Sequence, residues 1–155
     1  AYLKSKGVRA RRDVSNKELI YFRNRIRHKL LPHLAKGYNR NIKELLANTA
    51  QIISADYDYM QRQGMKYLKL ITVSFPLKSG LKIKLNKFKE LHPAIQRLVL
   101  RLSIEKIKGN TRRLSFQHWK ELDDLVTSRK NGSLVDLPGH IVVEKIENYL
   151  LLSLG

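Results

Sequence analysis

Arg23 and Arg27 carry the most pointed chemistry in the sequence, within the run Tyr21-Phe22-Arg23-Asn24-Arg25-Ile26-Arg27-His28. On a helix turning about 100° per residue they share a face one turn apart, inside the arc spanned by Leu19, Ile20, Leu30 and Leu31. Like charges at that spacing repel by about 0.2–0.5 kcal/mol, and apolar neighbours add a desolvation cost. Side chains that snorkel to water relieve part of this. An anion relieves it more fully: a carboxylate from another domain, or a phosphate held by a bidentate guanidinium fork. On the same wheel Arg25 points to solvent. The pair is therefore a candidate anion site.

Catalytic groups are harder to find. There is no GxxxxGK[ST] or GxGxxG loop and no glycine-rich phosphate cradle. His28, His33, His92, His118 and His140 are scattered, and none shares a helix face with Asp or Glu at metal-ligand spacing, so no metal site is expected. Glu121, Asp123 and Asp124 fall on the polar side of a helix, as a solvated face does. Tyr57 and Tyr59 flank Asp58 and could stack on bases. Tyr57 fits an apolar stripe, which leaves Tyr59 as the candidate. The chain has no cysteine, which removes thiolate chemistry, disulfides and Cys-ligated metals. No residue is assigned a catalytic role.

The elements that must position these groups are mostly helical. Ser15-Asn16-Lys17-Glu18 has the pattern of a capping box, and Leu19, Phe22, Ile26, Leu30 and Leu34 continue it as an amphipathic helix. Pro32 predicts a kink or an end near Leu31, and Gly37 a break. A second helix opens near residues 39–41 and keeps its beat through Ile42, Leu45, Leu46, Thr49, Ile52, Ile53, Tyr57, Met60, Tyr67, Leu68 and Ile71. Residues 74–80, with Pro76, predict a loop. The alternation Leu81-Lys82-Ile83-Lys84-Leu85 predicts a short strand or extended arm. Pro93 opens a helix to about Lys108, with Ile95, Leu98, Val99 and Leu102 inward, and Gly109-Asn110 ends it. Ser115 caps another whose inward stripe is Phe116, Trp119, Leu122 and Val126. Turn signals at Asn131-Gly132, Pro138-Gly139 and Glu147-Asn148 then separate three strand-like runs, 134–137, 141–145 and 149–154. The fold class expected is mainly α: a helical domain with a small C-terminal β-hairpin or meander.

The 155 residues carry 31 Lys and Arg against 13 Asp and Glu, a net charge of +18. Its placement is uneven: +10 over residues 1–40, +2 over 41–80, +9 over 81–120 and −3 over 121–155. Such a field favours a polyanion, nucleic acid being the commonest. Hydrophobic residues at 43% suit a globular chain. No apolar run reaches the ~20 residues that cross a bilayer, so no membrane span is expected.

Several blocks together resemble the tRNA(Ile)-lysidine synthetase family. They are Asp13-Val14-Ser15-Asn16, then Arg23-Asn24-Arg25-Ile26-Arg27-His28-Lys29-Leu30-Leu31-Pro32, and Asn39-Arg40-Asn41-Ile42. The helix with Ala94-Ile95-Gln96-Arg97-Leu98-Val99-Leu100-Arg101 follows, then Leu137-Pro138-Gly139 with Val142-Val143-Glu144. The resemblance implies a cytoplasmic ATP-dependent ligase that joins lysine to the wobble cytidine of an isoleucine tRNA. That family's catalytic half, a Rossmann-like domain with an SGGxDS pyrophosphatase loop (the PP-loop), precedes the first block, and this sequence contains no such loop. ATP and Mg would accordingly serve the full-length enzyme, with no cofactor expected here. The resemblance implies a connector over residues 1–16, a tRNA-binding helical domain over 17–130 and a β appendage over 131–155. Arg23, Asn24 and Arg27 would face the catalytic domain or the substrate; Arg25, Arg97, Arg101, Arg112 and Arg113 would contact tRNA phosphates. The rival expectations are a stand-alone DNA- or RNA-binding protein, using the helices around residues 93–128 in the manner of a helix-turn-helix, and a protein-interaction domain.

Overall fold

The computed structural model describes residues 19–73 and 80–155. The chain divides into two compact units, Ala1–Ser54 and Ala55–Gly155. The capping box at residues 15–18, the connector and the loop at 74–79 lie outside the described residues.

In the first unit, Leu19 and Ile20 form a turn, and the helix begins at Phe22, later than the periodicity predicts. Its first segment, α1, is Phe22–Arg25, preceded by Tyr21 in extended conformation. A π-turn over Ile26–Leu30 follows, closed by the Leu31 N–H on the Ile26 carbonyl, and α2 then runs Leu31–Gly37. Pro32 explains this. It lacks an N–H, and its ring crowds the carbonyl four residues back, at His28. Widening the preceding turn places Pro32 in the first turn of the next segment, where no donor is missed. The helix thus continues through the position where a kink or an end was expected. It stops at Gly37, with the Tyr38 and Asn39 N–H groups both donating to the Leu34 carbonyl.

Asn39 then opens α3, Ile42–Ile71: its side-chain oxygen accepts from the Asn41 N–H at 2.8 Å and its carbonyl from the Ile42 N–H at 3.0 Å. The 30-residue length matches the long apolar beat. Leu45, Leu46, Ile52 and Ile53 nevertheless remain exposed, because the short segments of the first unit do not cover them.

The second unit holds the core. Strands β1 (Thr72–Val73), β2 (Leu81–Lys84), β3 (Leu134–Leu137), β4 (Ile141–Ile146) and β5 (Tyr149–Leu154) form one antiparallel sheet in the order β1-β2-β5-β4-β3. Helices α4 (Leu85–Lys89), α5 (Pro93–Lys108) and α6 (Phe116–Thr127) accompany it. The register Val143↔Leu152 and Ile83↔Leu150 aligns the apolar alternates of three strands. Their inward side chains join Phe88, Val99, Leu100, Ile104, Leu122 and Leu125 in a single buried cluster. The C-terminal meander is present as expected, but it is a wall of the same core as α5 and α6. Residues 81–84 are a strand, paired with β5 along their whole length.

Among the described residues Lys145 is the one buried cation. It sits at an inward register position on β4, and its Nζ donates to the Val126 and Arg129 carbonyls at the C-terminal end of α6. Those carbonyls lack intrahelical donors, and the helix dipole is negative there. Burial pushes the Lys145 ammonium below its usual pKa, and the positive charge of Lys89 adds to the shift.

Candidate nucleic-acid interface

Helix α5 presents Ala94, Arg97, Leu98 and Arg101 at positions i, i+3, i+4 and i+7, so all four share one face. They line a cleft of about 450 Å³ together with Tyr57 and Met60 of α3, Thr111 and Leu114 of the α5–α6 connector, and Phe116 and Trp119 of α6. All of these residues belong to the second unit.

Local sequence sets each wall. His92 caps α5, its Nδ1 accepting from the Ala94 N–H, and Pro93 occupies the first turn. Gly109, at φ 82°, takes the left-handed turn that ends α5. Ser115 caps α6 in a capping box with His118, the Ser115 N–H donating to His118 Nδ1 at 2.9 Å. That cap fixes Phe116 at the helix start and Trp119 one turn on. Gly64 is buried on α3, where a Cβ would fall 2.8 Å from Leu98 Cγ. A glycine there lets α3 and α5 approach, and Tyr57, two turns earlier on the same face, thereby reaches the cleft.

Two contacts hold the arginines. Arg97 donates to Asp123 at 3.2 Å, with the two side chains 57% and 40% exposed, a pair that orients more than it stabilises. Arg101 lies over the Tyr57 ring, 5.8 Å from its centroid. Arg112 and Arg113 are exposed and flank the cleft-lining Thr111 and Leu114; Arg113 adopts φ 68°, and the Arg112 carbonyl accepts from Lys108. The cleft therefore offers cations and aromatic surfaces side by side. Its hydroxyl groups are those of Tyr57 and Thr111, and among the described residues no cluster of His, Asp and Glu could hold a metal ion.

In the first unit, Arg23 and Arg27 are exposed, with the Arg23 guanidinium 5.4 Å from the centre of the Tyr21 ring. Asn24, between them, is buried, at 2% exposed. Arg25 is exposed as well, at its expected outward position. Its guanidinium lies over Phe22, beside an apolar groove lined also by Ile26, Lys29, Leu30 and His33. A π-turn closes on i→i+5, so faces drawn at ~100° per residue drift across Ile26–Leu30.

The aromatic residues are the part that pattern reading missed. Tyr57 is assigned to the core by its spacing, yet it is 36% exposed and lines the cleft. Phe116, expected inward, is 79% exposed, while Trp119 is half-buried against the core with one side in the cleft. Tyr59, the candidate for stacking, is exposed but does not line it. The available signal was the i, i+3 pair Phe116 and Trp119 immediately after a serine cap, on the helix that follows Arg97 and Arg101.

Residues 84–145 match the family model described as the TilS substrate binding domain. That stretch runs from the end of β2 into β4 and includes α5 and α6, two of the three helices that line the cleft. The chain is also similar to tRNA(Ile)-lysidine synthases. It is 29% identical over 152 residues to that of Clostridioides difficile strain 630, covering 98% of this chain and 33% of the relative. With the Geobacter sulfurreducens protein it shares 30% over 148 residues, 96% of this chain and 31% of the relative. With that of Nostoc sp. strain PCC 7120 it shares 27% over 155 residues, 92% and 44%. The chain spans about a third of the length of the first two. The resemblance carried by the Arg23 block thus extends along nearly the whole sequence.

Proposed function

We propose that this chain is the tRNA-holding region of a tRNA(Ile)-lysidine synthetase, an ATP-dependent ligase that attaches lysine to the wobble cytidine of tRNA(Ile). The observation that carries the reading is the coincidence of two things: residues 84–145 match a substrate-binding domain, and the same residues supply the arginines and two of the aromatic rings of the cleft. In this reading Arg97, Arg101, Arg112 and Arg113 neutralise tRNA phosphates, while Arg23, Arg25 and Arg27 form a second basic surface toward tRNA or the catalytic domain. Adenylation and lysine transfer belong to a PP-loop half that this sequence does not contain; its residues bind and orient.

The test adds the 155-residue chain to an intact lysidine synthetase. The expected result is inhibition that rising tRNA(Ile) overcomes, with no pyrophosphate released by the chain alone in ATP, lysine and tRNA. Inhibition indifferent to tRNA concentration, or pyrophosphate release by the pure chain, contradicts the reading.

A further inference from the structure

We propose that the cleft between Tyr57, Arg97, Arg101, Phe116 and Trp119 is a receptor for one unstacked nucleotide of an RNA, its base on the aromatic walls and its phosphate on the two guanidinium groups. The inference rests on the RNA-binding reading above and deepens it from a charged surface to a defined subsite.

Three observations support it. The lining combines three aromatic rings with two arginines in about 450 Å³, within the size range of small-ligand pockets. Among the described residues none of these rings is paired with another ring; Arg101 lies over one face of Tyr57, and Phe116 is the most exposed of the three. Phe116 is 79% exposed at the start of α6, a placement with no packing explanation. Duplex contacts require only the cations, since paired bases present no free faces to a side chain. Aromatic platforms beside cations suit bases that have left the stack. Arg97 uses one nitrogen on Asp123, which leaves the remaining donors of its fork for a phosphate.

Trp119 is the only tryptophan of the chain, so its fluorescence reports on this cleft alone. The intact 155-residue chain is titrated with three probes at equal ionic strength: a short single-stranded oligoribonucleotide, an abasic strand of equal length, and a blunt RNA duplex. The single strand is expected to quench Trp119, and the duplex and abasic strand to bind without quenching. Phe116→Ala, a change at an exposed position that leaves the core untouched, should weaken single-strand binding about five- to a hundredfold, as expected for one lost stacking partner. Phe116→Tyr should restore it.

Equal quenching by the abasic strand or the duplex overturns the proposal, as does an acidic peptide that quenches Trp119 as strongly as the single strand. Filter binding of whole tRNA separates the two readings. tRNA held while Trp119 and Phe116→Ala remain silent removes the nucleotide receptor alone. tRNA not held removes the RNA-binding reading and the receptor with it.

Discussion

A buried ammonium leaves a measurable trace in the pH dependence of stability, and Lys145 provides one. Its folded pKa lies below the ordinary 10.5 because burial disfavours the charge and Lys89 repels it. The unfolded chain therefore binds this proton more tightly than the folded one. Below the folded pKa the charged form costs stability in full, and the cost fades as pH rises through that value toward 10.5. The difference in melting temperature between the wild type and Lys145→Met should shift in favour of the wild type as pH is raised from neutral toward 10. A difference that does not change over this range contradicts a buried, desolvated Lys145. The inward position of Lys145 on β4 is seen only in the structure, and a lysine there carries no sign in sequence of its partners. The carbonyls it satisfies lie at the end of α6 and just beyond it, 19 and 16 residues away. At Arg25 the helical wheel sufficed: the residue lies in α1, ahead of the turn that Pro32 widens, and its side chain is exposed.

At the scale of elements, the approach of α3 to α5 decides whether the cleft exists. Gly64→Ala gains helix propensity of about 1 kcal/mol but must push Leu98 aside, and overpacking of this kind costs about 1–3 kcal/mol. The expected net effect is destabilisation of roughly 1 kcal/mol, read by urea denaturation, with weaker single-strand binding as Tyr57 withdraws. A more stable variant with unchanged binding would show that the helices tolerate a wider spacing. Element boundaries were largely legible. Pro93, Gly109 and Ser115 delimit α5 and the start of α6 where the structure has them, and the turn signals delimit β3 and β5. These signals are local, set by backbone donors and left-handed turns. Pairing is not local. Nothing in residues 81–84 names Tyr149–Leu154 as the neighbouring strand, so the sheet that joins them could not be read in advance.

For the whole molecule, the charge profile is the feature that sequence conveys best, since it needs no fold to be counted. The acidic shift after residue 120 marked a different surface, and the structure places the strands of that stretch in the core of the second unit. What the profile could not convey is that Arg97, Arg101, Arg112 and Arg113 gather on or beside a cleft with aromatic walls. That depends on the packing of three elements. The central claim is that these cations meet RNA phosphates, and tRNA affinity measured against salt by filter binding tests it most directly. If the four cleft arginines and Arg23 and Arg27 each neutralise one phosphate, log affinity should fall against log salt with a slope of about −4 to −5. Arg97→Ala together with Arg101→Ala should make that slope shallower by about 1.5. A flat salt dependence, or one that the double substitution does not alter, would contradict the claim.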